Sequence, residues 1–203
     1  MSARAAQSPT SPVQQATPAP DPKAATAEAL KKALAPKPSA EVVRKQKLDQ
    51  LFERLRDARK PEEAAEIALL INRLWLQSSS DTANLLMQRA AASLEAQNLS
   101  VALSLLDKLV ALEPEWAEAW NQRATVRFMT GDLDGAMADI NRVIRLEPRH
   151  FGALTGMGMI LQREGFEQRA LEVFSKALAI YPLAADIQKF AEKLRLEIEG
   201  QDI

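Results

Sequence analysis

The sequence predicts an all-α fold built as a stack of helical hairpins, and three observations predict it. Aligning the chain with itself at an offset of 34 residues brings Ala102, Ala136 and Ala170 into register, together with Pro114, Pro148 and Pro182. The same offset matches small residues at Ala90, Ala124 and Gly158 and large apolar ones at Leu106, Ile140 and Phe174. A fixed period of this size marks an array in which each unit packs only on its neighbours. The third observation is punctuation: each period closes on a proline, which stops a helix and separates it from the next.

Composition narrows the function classes. The 203 residues carry 26 Lys and Arg against 27 Asp and Glu, a net charge of −1. That balance supplies no basic field, so nucleic acid is not an expected partner. The absence of cysteine excludes disulfides, thiolate nucleophiles and Cys-ligated metal. The longest apolar candidate, Phe151 to Leu161, is interrupted by three glycines. It falls short of the roughly 20 residues needed to cross a bilayer, so no transmembrane segment is predicted.

Residues 1–38 read as a disordered Ala/Pro-rich tail. Seven of the eleven prolines lie between Pro9 and Pro38, and large apolar residues are scarce, so no core offsets the entropy of ordering. Ser2 to Gln7 resembles the end of a secretory signal peptide, with Ala3 and Ala5 as the small-x-small pair. The expectation is a periplasmic protein if an apolar segment is encoded upstream of Met1, and a cytoplasmic one otherwise.

Residues 39–82 read as a degenerate N-terminal helical hairpin. Ser39 is a candidate N-cap, and Val42, Leu48, Leu51, Phe52 and Leu55 follow at helical spacing. Pro61 opens the second helix as a first-turn proline. Arg56 stands where the later units carry a small residue and Ser80 where they carry proline. The hairpin is therefore expected to cap one end of the stack. Asp81 is expected to cap the next helix. Three units follow over residues 83–116, 117–150 and 151–184, turning at Gln97-Asn98, Gly131-Asp132 and Glu164-Gly165. Residues 185–203 form a capping helix whose apolar stripe continues from Leu183 through Ile187, Phe190, Leu194 and Ile198.

These units resemble tetratricopeptide (TPR) repeats. In the middle unit the pattern positions hold Trp120, Ala124, Gly131-Asp132, Ala136, Ile140, Val143 and Pro148. In the last they hold Leu154, Gly158, Gly165, Ala170, Phe174, Ala177 and Pro182, and in the first Leu86, Ala90, Gln97, Ala102, Leu106, Leu109 and Pro114. The strings Trp75-Leu76-Gln77-Ser78 and Arg149-His150-Phe151-Gly152-Ala153-Leu154 also resemble a group of small TPR proteins of alphaproteobacteria. The resemblance implies a right-handed superhelix whose concave groove is lined by the first helix of each unit. Carried over residue by residue, that lining is Asn84, Met87, Ala91 and Leu94, then Glu118, Asn121, Thr125 and Phe128, then Gly152, Thr155, Met159 and Gln162. Some family members clamp a C-terminal carboxylate with Lys, Arg and Asn. Here those places hold Met87, Ala91, Gln122, Gly152 and Gly156, so that clamp is not expected.

Nothing in the sequence points to catalysis or to a bound cofactor. His150, the single histidine, falls between two units, where it reads as a surface residue rather than a general base. No second histidine or any cysteine completes a metal site. Arg89 and Arg123 occupy equivalent places. They read either as anion-binding cations along one groove or as local partners within the stack, with Asp139 available to Arg123. The function predicted is a non-enzymatic scaffold that binds a protein or peptide in an uncharged groove with apolar anchors. The alternative is a self-assembling structural protein that uses the groove or the terminal helix to form a homo-oligomer.

Overall fold

The computed structural model describes residues 39–201; the tail over 1–38, with its expected disorder and signal-like start, lies outside the described residues. Within them the order is α1 (Ala40–Asp57), α2 (Pro61–Trp75), α3 (Asp81–Glu95), α4 (Leu99–Leu112), α5 (Ala117–Thr130), α6 (Leu133–Leu146), α7 (Phe151–Arg163), α8 (Glu167–Ile180) and α9 (Ala185–Gln201). No strand occurs among the described residues. The hairpins α3–α4, α5–α6 and α7–α8 are the three 34-residue units.

Local chemistry sets the boundaries. Gly131 and Gly165 reverse the chain at φ +84° and +81°, the left-handed region where a side chain is strained. Gln97 takes the same role at φ +57°, and Asn98 then caps α4 by accepting from the Val101 N–H. Asp132 caps α6 through the Gly135 N–H at 3.0 Å. Asp81 does not cap α3: Ser80 does, its hydroxyl accepting from the Ala83 N–H at 3.2 Å. Asp81 is instead the first helical residue, where its charge meets the positive end of the helix.

Within each unit the small residues bring the two helices together. Ala102, Ala136 and Ala170 are fully buried. A methyl group added at Gly158 would overlap the Phe174 ring. Gly158→Ala should therefore destabilise by about 1–3 kcal/mol, read as a lower urea midpoint at unchanged slope. Replacing Ala136 with Leu should cost a similar amount.

The seam between α5 and α6 of the middle unit carries a buried ion pair that reaches the preceding unit through Asp107. The buried Asp139 carboxylate accepts from Arg123 Nε and Nη2 at 2.8 and 2.7 Å, and Arg123 Nη1 reaches Asp107 at 2.9 Å. Arg127 Nη1 lies 3.1 Å from the same carboxylate. The hydrogen bond to Asp139 is the largest influence holding the Arg123 guanidinium above its ordinary pKa. Arg123 is thus a partner within the stack. Arg89 forms no ion pair among the described residues, because Leu105 stands where Asp139 would serve it.

The N-terminal hairpin departs from expectation. Its apolar face does not cap the end of the array; it packs along the linkers that join successive units. Leu48, Leu51, Phe52, Leu55, Ile67, Ile71 and Trp75 form one cluster with Phe151, and Ile180, Tyr181 and Leu183 pack against it. The Trp116 indole N–H donates to the Trp75 carbonyl at 2.7 Å. Arg149 bonds Asp49 at 2.7 Å and lies 4.3 Å over the Phe52 ring. Trp116, Arg149–His150 and Tyr181 all belong to inter-unit linkers, so one hairpin spans the edge of all three units. The Arg56 and Ser80 mismatches fit this: α1 and α2 pair with each other, not with a repeat-type neighbour.

The C-terminal helix closes the far end. Ile187, Ala191 and Leu194 are buried against α8, and Phe190 and Ile198 pack at the margin. Leu194 points fully inward while Leu196 points out.

Candidate peptide groove

The linker edge gathers the rings of Trp75, His150, Phe151 and Tyr181. The Trp75 indole stacks on the His150 ring at 4.0 Å and 9° between planes. Phe151 meets Trp75 at 5.2 Å and Tyr181 at 5.4 Å. His150 is not a surface residue; it is 2 % exposed. Its Nδ1 accepts from the Ala153 N–H at 3.1 Å, capping α7. Nδ1 therefore carries no proton, so Nε2 donates to the Glu118 carboxylate at 2.9 Å. Glu118 is buried in turn and accepts from Gln122 at 2.6 Å and Asn121 at 3.3 Å. It supports the floor of the groove and does not line it.

Beside this group lies a cavity of about 760 Å³, within the size range of ligand pockets. Its walls come from four helices, with Ile140 of α6 behind them. Asn121, Ala124, Thr125 and Phe128 stand on α5; Gly152, Thr155, Gly156 and Met159 stand on α7. Asp186 and Ile187 close it from α9, and Pro61, Glu62 and Ala65 from α2. Phe151 and Tyr181 form its base at the linker edge. The hydroxyls of Thr125 and Thr155 are turned back to the carbonyls of Asn121 and Phe151 at 3.0 and 2.8 Å. The lining is consequently more apolar than its residue names suggest.

The sequence-predicted lining is divided. Asn121, Thr125, Phe128, Gly152, Thr155 and Met159 share the large cavity. Asn84, Met87 and Ala91 border a second hollow of about 600 Å³ with Arg73, Leu76, Gln77 and Ser78. Asn84 is committed there to the α2–α3 linker, accepting from the Ser78 N–H at 2.8 Å and donating to its carbonyl at 2.9 Å. Met87 is a core residue. Leu94 packs at the margin of the same cluster, and Leu94 and Gln162 line neither hollow. Pro61, Glu62, Ala65, Tyr181 and Asp186 escaped sequence reasoning, because a repeat alignment places only first-helix residues in the groove.

One titration follows from this geometry. Burial, assisted by Asp186, pushes the Tyr181 phenol above its usual value. Its contribution to stability is complete below about pH 10, the unfolded value, and is lost as pH rises through the higher folded value. Tyr181→Phe should flatten that alkaline loss, measured as urea midpoints at mildly and strongly alkaline pH.

A stack of two-helix units with an open concave face defines a helical-repeat protein of the solenoid class. No family model matches the chain, but it is 43 % identical over 156 residues to a TPR repeat-containing protein of Rhizobium etli, covering 77 % of this chain and 76 % of that one. The chain belongs to the TPR family. Among solved structures, the Sgt2 TPR domain of Aspergillus fumigatus superposes with a TM-score of 0.57 at 16 % identity, over 61 % of this chain and 83 % of that one. The first TPR of Spaghetti (RPAP3), solved with an HSP90 peptide SRMEEVD, gives 0.57 at 16 % identity, over 60 % of this chain and 96 % of that one. At such identities both likenesses speak to fold alone.

Proposed function

We propose that the protein is a non-enzymatic TPR scaffold that binds a segment of another protein in the cavity between α2, α5, α7 and α9. The carrying observation is the cavity itself: about 760 Å³, open to solvent, and lined by Phe128, Met159, Phe151 and Ile187. An exposed apolar concavity of this kind is what a segment with apolar anchors requires. The preformed walls leave most of the ordering cost to the ligand. A solved neighbour, Spaghetti, holds a peptide, which supports peptide binding as a use of this architecture. The carboxylate clamp positions hold Met87, Ala91, Gln122, Gly152 and Gly156, which supports a different ligand chemistry here. Support for a non-catalytic role comes from His150, both of whose ring nitrogens are spent on structural bonds.

The Phe128→Glu, Met159→Glu double variant places two charges on this lining. A partner recovered from native cells should bind purified wild type and lose at least about tenfold in affinity with the variant, while circular dichroism stays unchanged. Equal affinities would remove the cavity from the binding role. If wild type recovers only itself and its mass rises with concentration, self-assembly takes first place; Leu196→Glu, on the exposed side of α9, then tests whether the terminal helix is the contact.

A further inference from the structure

The cavity is electrostatically one-sided. Glu62, from the first turn of α2, and Asp186, from the first turn of α9, both line it at the linker edge. Neither forms an ion pair among the described residues. The lining contains no lysine or arginine. Outside the lining, Arg163 lies 5.8 Å from the centre of the Phe128 ring, at the end away from Glu62 and Asp186. Some exposed charges elsewhere are paired, Arg142 with Glu115, Lys193 with Glu197 and Arg195 with Glu192, and others stand alone. Glu62 and Asp186 differ in flanking an apolar concavity whose base is the Phe151–Tyr181 aromatic pair.

We infer that the occupant is a segment of another protein that places a lysine or arginine at the linker edge, between Glu62 and Asp186, with apolar residues following toward Phe128 and Met159. This rests on the cavity being the binding site, as proposed above. Two unpaired carboxylates favour a cation over a neutral or acidic residue. The Tyr181 ring adds a π face for it, and the aliphatic stem of a lysine or arginine covers the apolar lining on its way. The Arg163 end disfavours a second cation there, so the basic residue stands at one end of the segment. A free C-terminal carboxylate is excluded from the linker edge by the same two charges.

The test uses the full chain and a phage-displayed library of random dodecapeptides. Wild type should enrich sequences with Lys or Arg at one fixed position beside apolar residues. Synthetic copies should bind about three- to tenfold more tightly than norleucine analogues of the same peptides, with the advantage shrinking in high salt. Glu62→Gln with Asp186→Asn should erase that advantage, each peptide being compared with its norleucine analogue on the same folded variant. Apolar sequences enriched without a basic position would overturn the cation assignment and leave the groove standing. Failure of Phe128→Glu, Met159→Glu to abolish all enrichment would overturn both. A wild-type mass that rises with concentration, and falls when the cavity is charged by Met159→Glu, would give the site to a second copy and overturn the inference.

Discussion

Trp75→Ala should cost about 3–5 kcal/mol, the range for removing a large buried aromatic side chain. The indole touches Phe52, His150 and Phe151 at ring distances of 5.9, 4.0 and 5.2 Å. It joins the hairpin's core to the linkers of the array through three ring contacts. Its loss should therefore act on one element more than on the rest. Hydrogen exchange over α1 and α2 should rise well before exchange in α5 to α8, and the large cavity should lose its α2 wall. Trp75→Phe separates packing from polarity. The indole N–H is buried without a partner among the described residues, so removing it sacrifices no hydrogen bond. That variant should retain the stack and cost less than half as much as alanine. If alanine and phenylalanine cost the same, the stack on His150 is not what holds the hairpin. If exchange rises evenly along the chain, the hairpin is part of the general core and not a separately docked wall.

Asp139→Ala should cost about 3–5 kcal/mol, because it strands one buried charge partner and strips another. Asp139 is 2 % exposed, and it takes both donors of the Arg123 fork as well as Arg127 Nη1. Arg123 keeps only the solvent-exposed Asp107. An apolar exchange of both partners, Asp139→Leu with Arg123→Met, should cost much less than Asp139→Ala alone, since no charge is then left without its partner. Urea unfolding of the two singles and the double gives the coupling directly. An additive result would show that Asp107 holds Arg123 without Asp139. Arg89 in the first unit supplies the internal comparison. It forms no ion pair among the described residues, and Arg89→Ala should change stability by less than about 0.5 kcal/mol.

Much of the array was legible because a repeat converts sequence into packing by periodicity alone. Ala102, Ala136 and Ala170 needed no structure to be placed at helix crossings, since only a small residue allows the approach. The reversals at Gly131 and Gly165 follow from backbone sterics, and the prolines end helices wherever they fall. The Arg123–Asp139 pair was also readable, because the two residues lie sixteen apart on the facing helices of one unit. His150 was misread for a definable reason. A histidine in a linker is exposed unless something covers the linker, and what covers it comes from 75 residues earlier in the chain. Glu62 and Asp186 were hidden because they come from helices outside the three units, and Asn84 is committed to the linker by Ser78, six residues before it.

The sequence by itself determined the class of fold, the three units and the residues at their seams, because those depend on neighbours at fixed separation. Only the tertiary structure decided where the aperiodic hairpin goes. Its apolar stripe, Ile67, Ile71 and Trp75, states that α2 must be buried against something but carries no period to say against what. That choice was made by shape at the linker edge, where Trp116, His150, Phe151 and Tyr181 offer an aromatic surface to Trp75. The choice also supplied the fourth wall of the cavity and one of its two carboxylates.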